Sequence, residues 1–202
     1  MKVVVVDLGV GNIHSLSSAL GFLNAEHVVT ADPAVIPTAT HVILPGVGAY
    51  DAAMTEMETS GLAAPIMRHA CEHKKPVLGV CLGMQLLFQG SEEGKLRGLG
   101  ILSGAFVKLT SEGQLKVPHV GFASVYGYRD LSLFQGFGAS SAFYFTHSYA
   151  LMTDPLGANV AYCDHHRTFV AAFQKGNICG AQFHPEKSQS NGLRLLANFL
   201  EL

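Results

Sequence analysis

A chain of 202 residues, of which 49% are hydrophobic, is long enough to bury a core without disulfide bonds or a structural metal. We expect residues 1–202 to form a single domain. The formal net charge of −2 and the lack of basic runs argue against nucleic acid as a partner. No apolar run approaches the roughly 20 residues that a membrane span requires, so no membrane partner is expected.

The use of cysteine predicts a cytoplasmic protein. Cys71, Cys81, Cys163 and Cys179 show neither a CxxC pair nor a regular ladder of spacings, which is typical of a reducing compartment. The N-terminus meets an acidic residue after only four valines and therefore predicts a first strand rather than a signal peptide.

Strand-like and helix-like segments alternate in the first half of the chain. Residues 3–6 are a continuous run of valine, typical of a strand buried on both faces of a parallel sheet. The other predicted elements are strands at 28–29, 42–44 and 77–80, helices at 52–57 and 62–73, and a first helix with Ile13, Leu16, Leu20 and Leu23 on one stripe. Repeated units of this kind indicate an open, mostly parallel sheet with helices on both faces.

From about residue 98 the pattern changes to short strands separated by glycine, serine and aspartate turns. Strands are predicted at 105–109, 117–120, 143–145, 160–163, 169–174 and 178–183, and a last helix carries Leu193, Leu196, Ala197 and Leu200. The fold class predicted is therefore α/β, with the parallel sheet extended by antiparallel strands in the second half.

Residues 79–83 (GVCLG) resemble a nucleophile elbow, a sharp turn between a strand and a helix with Cys81 at its centre. Gly79 and Gly83 would relieve the crowding of such a turn. The sulfur would then lie at a helix N-terminus, which favours the thiolate, and the amide of Leu82 would be an oxyanion donor. The elbow taken alone is equally consistent with a buried structural cysteine.

Two other segments could complete the chemistry of a cysteine nucleophile. His184 and Glu186 follow a predicted strand and supply a base together with an acid that orients it. Gly46, Val47 and Gly48 form a glycine-rich turn after another strand, with backbone donors for an oxyanion and glycines that permit a peptide flip. Each segment by itself could be an ordinary turn, but parallel strands collect their loops at one edge of the sheet, where they can meet.

Other candidate motifs are weaker. The Cys163–His166 cluster lacks a second group at zinc spacing, so we predict no metal site. We expect Cys71 and Cys179 to lie in the core, and His69 and His73 to lie on a solvated helix face. The glycine turn at 9–12 lacks the third glycine of a dinucleotide site, and Asn12 is predicted to cap a helix; no cofactor is expected.

The motifs together resemble the class I (triad) glutamine amidotransferases. The agreement extends along essentially the whole chain to the glutaminase subunit family of imidazole glycerol phosphate synthase, through residues 4–12, 44–48, 79–87, 117–119, 144–149 and 182–188. This resemblance implies a triad of Cys81, His184 and Glu186 that hydrolyses L-glutamine and delivers ammonia to a (βα)8-barrel cyclase in histidine biosynthesis. It also implies glutamine-binding roles for Gln85, His147, Ser148 and Tyr149, and a partner interface that includes Lys187, Pro118, His119 and Phe122.

One departure from the family pattern leaves alternatives open. Residues 121–123 read Gly-Phe-Ala, where the family usually has Gly-Trp-Asn. A paralogous glutaminase that supplies ammonia to a cyclase-like synthase in surface-sugar amidation is therefore the alternative within the class. A γ-glutamyl hydrolase or peptidase, and a non-catalytic regulatory protein, are alternatives of other classes; Leu82 stands where related intracellular peptidases often have histidine.

Overall fold

The computed structural model describes residues 1–9, 13–111, 116–128, 131–154, 157 and 159–202. Its strands are β1 Val3–Val6, β2 His27–Thr30, β3 His41–Leu44, β4 Val77–Val80, β5 Gly90–Ser91, β6 Ala105–Lys108, β7 His119–Tyr126, β8 Ser140–His147, β9 Tyr149–Ala150, β10 Asn159–His165, β11 Arg167–Lys175 and β12 Ile178–Ala181. Its α-helices are α1 His14–Phe22, α2 Tyr50–Thr59, α3 Ala63–Met67, α4 Leu82–Leu86 and α5 Gln189–Leu200. The α3 helix continues into a π-helical turn, Arg68–Glu72, and Pro185–Lys187 is a 3₁₀ turn.

Nine strands form the main sheet, in the order β2-β1-β3-β4-β12-β11-β10-β7-β8. Neighbours from β2 to β12 pair in parallel, and every pair beyond β12 is antiparallel. The predicted fold class is confirmed, since the parallel part belongs to the first half of the chain together with the last strand. A small second sheet has the order β5-β6-β9.

The four valines of β1 alternate between the two layers of the core, one on each face of the sheet. Val3 and Val5 pack in the layer that contains α1 and α5, whereas Val4 and Val6 pack in the layer that contains α2 and α3. All four are fully buried, as expected where helices cover both faces of a parallel sheet. The stripe of α1 is present, with Leu16 and Leu20 buried.

Several sequence-based expectations need correction. The strand predicted from Val117 begins at His119, because Pro118 has no N–H to donate to a ladder. His69 is buried, with its Nε2 3.3 Å from the carbonyl oxygen of Pro76, and does not lie on a solvated face. Cys71 is exposed on the π-helical turn, so its assignment to the core is wrong, whereas Cys179 is buried as predicted.

The predicted cap Asn12 and most of the turn at 9–12 lie outside the described residues. Within the described ranges, no helix is long and apolar enough to cross a membrane.

Candidate active site

The pairing of β4 with β12 brings the predicted nucleophile and base to one edge of the sheet. These parallel strands are in register with Val80 opposite Ala181, so the chain leaves both strands at the same level. The backbone N–H of Cys81 donates to the carbonyl oxygen of Ala181 at 2.7 Å. His184 lies three residues after Ala181, and its backbone N–H donates to the carbonyl oxygen of Tyr144 at 2.8 Å.

Cys81 occupies a strained elbow between β4 and α4. Its φ of 46° and ψ of −101° are rare for a residue with a side chain. A Cβ on Gly79 would lie 2.6 Å from the carbonyl oxygen of Gly83, and one on Gly83 would overlap the backbone of Leu44. The crowding inferred from the motif is therefore present. It arises because the neighbouring backbone leaves no room for a Cβ, whereas neither Gly79 nor Gly83 has a positive φ.

The third glycine of this region belongs to the turn that faces the elbow. A Cβ on Gly46 would lie 2.7 Å from the carbonyl oxygen of Val80 and 2.9 Å from Cβ of Cys81. Glycine at position 46 thus lets the turn approach the nucleophile closely. Gly48 has a φ of 125°, a conformation that favours glycine.

The sulfur of Cys81 lies within a polar setting even though the residue is only 6% exposed. Nε2 of Gln182 is 3.7 Å from Sγ, and the carbonyl oxygen of Thr146 is 3.9 Å from it. Gln182 is fully buried, so its amide is held in place by packing. A buried amide donor of this kind stabilises a thiolate more than a thiol.

His184 and Glu186, which were predicted to act as a base and its orienting acid, are joined by a direct hydrogen bond. Nδ1 of His184 donates to Oε1 of Glu186 at 2.7 Å, and both side chains are buried. Burial acts to lower the pKa of His184, but the hydrogen-bonding interactions with Cys81 and Glu186, together with the charges of these groups, outweigh it and raise that pKa to about 9. Nε2 of His184 makes no well-formed hydrogen bond among the described residues, so the Cys81 sulfur interacts with it across a longer or less aligned contact.

Ser188 fixes the segment that carries the imidazole. Its Oγ donates to the carbonyl oxygen of His184 at 2.6 Å and accepts the N–H of Tyr144 at 2.9 Å. Because the buried Ser188 side chain bonds to both segments, it holds His184 and the 3₁₀ turn that follows it against β8.

A cavity of about 300 Å³ opens over these groups, at the lower end of the range for small-molecule sites. Cys81 and His184 lie in its wall together with all the residues predicted to bind an oxyanion or glutamine, namely Gly46, Val47, Gly48, Leu82, Gln85, His147, Ser148 and Tyr149. Pro118, predicted at the partner interface, also lines it.

Glu93 also lines the cavity and was missed in the sequence. Burial raises the pKa of its carboxyl, and a hydrogen bond from Gln85 acts in the opposite direction. The Gln85 amide is in turn oriented by Ser91, whose Oγ donates to Oε1 at 2.7 Å. The cavity thus has a cysteine sulfur at one position and a carboxyl group at another, an arrangement that suits a ligand with an amide and an ammonium group.

The residues predicted to contact a partner do not all lie on the surface. Phe122 is 52% exposed and packs edge-on against Tyr144, with ring centroids 5.5 Å apart. Nζ of Lys187 lies 5.9 Å from the same Tyr144 ring. His119 is buried, so its side chain is not available as a surface contact, and the prediction that it forms part of an interface is not supported.

The cysteine–histidine segment at 163–166 is not assembled into a metal site. In the part of the chain that the structure describes, no group of three or more His, Cys, Asp or Glu side chains is placed to hold a metal ion. Burial instead raises the pKa of the Cys163 thiol to about 12, as for a structural cysteine.

The arrangement is matched by known proteins along almost the whole chain. Residues 4–202 match the family model "Glutamine amidotransferase class-I". The chain therefore belongs to the class I glutamine amidotransferases, enzymes that hydrolyse glutamine.

Two curated relatives of the chain are named as the same subunit of one synthase. The chain is 41% identical to the imidazole glycerol phosphate synthase subunit HisH of Syntrophotalea carbinolica, over 98% of both chains. It is 42% identical to the protein of the same name from Synechococcus elongatus, over 98% of this chain and 92% of that one.

Solved structures share the fold at lower identity. One is described as a glutamine amidotransferase, with a TM-score of 0.78 and 18% identity, covering 98% of this chain and 97% of that one. PurLQS from Thermotoga maritima gives a TM-score of 0.75 at 18% identity, with 99% and 97% of the two chains covered.

Proposed function

We propose that this chain is the glutaminase subunit of an imidazole glycerol phosphate synthase. It would hydrolyse L-glutamine to glutamate and pass ammonia to a cyclase subunit that forms imidazole glycerol phosphate and AICAR in histidine biosynthesis. The observation that carries the chemistry is that Cys81 and His184 lie in the wall of one small cavity, with Glu186 hydrogen-bonded to His184 behind it. Relatives named for this synthase at 41% and 42% identity support the pathway.

Glutamine would bind with its amide carbon at Cys81 and its ammonium group at Glu93. Gln85, His147, Ser148 and Tyr149 supply the remaining wall around the substrate. A carboxylate in a partly buried cavity attracts an ammonium group strongly because water screens the pair poorly. This arrangement leaves the side-chain amide as the only part of the substrate near the sulfur.

The reaction would proceed through a γ-glutamyl thioester. The Cys81 thiolate attacks the amide carbon, and backbone amides near Val47 and Leu82 stabilise the oxyanion. His184, protonated at Nε2, gives that proton to the leaving nitrogen, so that ammonia departs as the C–N bond breaks. A water then attacks the thioester, loses a proton to His184, and the C–S bond breaks to release glutamate.

Neutral ammonia protonates in water, so its use requires an enclosed path to a bound synthase. The chain has no P-loop sequence for a nucleotide-dependent synthetase of its own. We propose a (βα)8-barrel cyclase as the partner, docked beside the cavity mouth. Val120 and Phe122 are exposed there at 58% and 52%, and an apolar pair of this kind suits a protein interface.

Lys187 would provide the charged contact of this interface. It is exposed next to Tyr144 and forms no ion pair among the described residues. We propose that it pairs with an acidic residue of the cyclase. Since Glu186 is its neighbour in the chain, this contact would connect docking directly to the triad.

The surface-sugar paralogue is the second candidate, favoured by one observation. Phe122 and Ala123 stand where the family usually has tryptophan and asparagine, and Phe122 is exposed on the proposed interface. The discriminating observation is which cyclase stimulates the glutaminase.

The test is glutamate release from glutamine, measured alone and with each candidate cyclase. We expect stimulation by the cyclase of histidine biosynthesis and complete loss in Cys81→Ser. Stimulation only by a surface-sugar synthase would assign the second candidate, and hydrolysis of γ-glutamyl peptides in place of glutamine would contradict both.

The interface has its own test. Lys187→Ala should weaken cyclase binding, yet leave labelling of Cys81 by a glutamine-mimicking electrophile unchanged once the cyclase is saturating. Lys175→Ala is the matched control, because Lys175 is exposed at the end of β11, opposite the first residue of β12 and so at the far end of that strand from His184. Equal affinity of the Lys187→Ala and Lys175→Ala variants would remove Lys187 from the interface.

A further inference from the structure

A pair of buried histidines joins two walls of the cavity. His119 and His147 are directly opposite each other in the antiparallel register of β7 and β8. Nδ1 of His119 lies 3.1 Å from Nε2 of His147, and both residues are only 6% exposed. Pro118, which precedes one histidine, and residues 148–149, which follow the other, line the cavity.

The partners of the pair determine where each proton lies. Nδ1 of His147 is 2.9 Å from the carbonyl oxygen of Tyr149, and a carbonyl can only accept, so this nitrogen carries the hydrogen. Nε2 of a neutral His147 is then an acceptor, and it requires a donor. His119 must supply that donor from Nδ1, which fixes the tautomers of both rings.

Both rings are neutral in this arrangement. Burial lowers the pKa of His119 to about 4, with a smaller contribution from the charge of His165. Burial also lowers the pKa of His147 to about 3, against the opposing effect of its hydrogen bond to Tyr149. Protonation of His147 would place two hydrogens between the facing nitrogens, so the neutrality of this ring and the hydrogen bond support each other.

Stacking holds the His119 ring in the plane that this bond requires. Phe145 lies on one side with a centroid distance of 4.8 Å, and His165 stacks at 4.1 Å, each within 20° of parallel. His165 makes its own hydrogen bond, from Nε2 to the carbonyl oxygen of Lys116 at 3.0 Å. It therefore contributes its ring face to His119 and no hydrogen bond to the pair.

We propose that His119 is a positioning residue for the glutamine pocket, acting by donating Nδ1–H to His147 and so holding the turn of residues 147–149 in the cavity wall. The turn is otherwise tied to the second sheet, where the N–H of Leu109 donates to the carbonyl oxygen of Ser148 at 2.8 Å. Without the His119 donor, Nε2 of His147 would be a buried acceptor with no partner, which drives the ring to rotate and release Tyr149. The substrate-binding wall then loses its shape while Cys81 and His184 keep theirs.

This inference rests on the proposed glutaminase function, and two variants at position 119 test it in the complex with the cyclase. His119→Leu removes the donor, whereas the side-chain NH2 of His119→Asn occupies the place of Nδ1 and keeps it. We expect the KM for glutamine to rise about tenfold in the leucine variant, equivalent to ~1.4 kcal/mol. The value of kcat should stay within about twofold of the native one, and the asparagine variant should restore KM to within about threefold.

His165→Phe is the control for stacking, because it keeps an aromatic face against His119 and removes the ring nitrogens. We expect native KM in this variant. A native KM in His119→Leu, or equal losses in the leucine and asparagine variants, would overturn the proposal.

A second measurement does not depend on any variant folding or on the reaction. Long-range ¹H–¹⁵N spectra of the native protein report which ring nitrogen carries hydrogen. We expect His119 and His147 to be neutral, each protonated at Nδ1, and a hydrogen on Nε2 of His147 would overturn the proposal. If the native complex hydrolysed no glutamine, the proposed function would fail while the spectra still decided the role of His119.

Discussion

Gln182 lies opposite Cys81 where β4 and β12 end, and its Nε2 is 3.7 Å from Sγ. The amide is fully buried, and its oxygen has no hydrogen-bond partner among the described residues. The amide nitrogen is therefore placed to donate a hydrogen bond to the sulfur, and such a bond is strongest when the sulfur carries a negative charge.

This relationship predicts that Gln182→Leu slows the reaction of Cys81 with a glutamine-mimicking electrophile. The loss of a hydrogen bond to a charged group costs ~1.5 kcal/mol, roughly tenfold in rate. Gln182→Glu should slow it further, because a carboxylate beside the sulfur repels the thiolate. The measurement is the second-order rate constant of labelling at saturating cyclase, and a native rate in the glutamate variant would contradict the assignment.

We predict that replacing either glycine of the elbow with alanine destabilises the fold, because the surrounding backbone leaves no room for a Cβ. Gly83→Ala places a methyl group on the backbone of Leu44, and Gly79→Ala places one against Gly83. Overpacking of this kind costs ~1–3 kcal/mol, which lowers Tm by about 2–12 °C in a chain of this length. Thermal unfolding followed by circular dichroism measures the change.

Gly21→Ala is the matched control for the elbow variants. A Cβ at position 21 meets nothing within 4 Å, and the residue is exposed within α1. Alanine there should raise stability by about 0.5–1 kcal/mol, because glycine is the poorer helix former. If all three alanine variants had the same Tm, the crowding at the elbow would not govern its sequence.

Features that depend on a local residue pattern can be predicted from the sequence. Features that depend on contacts between distant segments cannot. The buried parallel strands are visible as runs of valine, isoleucine and leucine, and the elbow is visible as two glycines around Cys81. Glu93 lies in an exposed, polar stretch with no motif, and only the contact of that stretch with the cavity reveals it. His119 reads as a surface residue until the pairing with β8 places His147 opposite it.

The error at His69 has a different physical origin. An α-helical period places His69 and His73 on one face, and the sequence offers no sign that the helix widens into a π-helical turn at Arg68–Glu72. The wider turn directs His69 and Ala70 inward and leaves Cys71 outside.

Buried neutral histidines predict that the protein loses stability in mild acid. Burial is the largest cause that lowers the pKa of His69 to about 4, and it has the same effect on His119 and His147. Each of these groups binds a proton in the unfolded chain near pH 6.5 but resists it when folded. The free energy of unfolding should therefore fall as the pH drops from about 6.5 toward 4, by up to ~1.4 kcal/mol per pH unit for each histidine.

Urea unfolding at pH 7.5 and pH 5 measures this loss, and His69→Leu isolates one contribution. The variant removes a titrating group that lies away from the cavity, so its stability should depend less steeply on pH than that of the native protein. Equal slopes for the two proteins would show that His69 is not buried in its neutral form.

The free energy of unfolding should depend on pH in the opposite direction through His184, whose pKa is raised to about 9. The favourable contact of its charged form is fully present below pH 6.5 and is lost as the pH rises through about 9. Since His184 must hold a proton to release ammonia, kcat/KM for glutamine should fall on the alkaline side with this pKa.

Glu186→Gln keeps an acceptor for Nδ1–H at the same position but removes the negative charge, so it should move the alkaline limb to lower pH. The pH profile of kcat/KM in the cyclase complex checks this, and Glu58→Gln, on the exposed end of α2, is the control. An alkaline limb that stays in place in Glu186→Gln would mean that the carboxylate charge does not set the basicity of the imidazole.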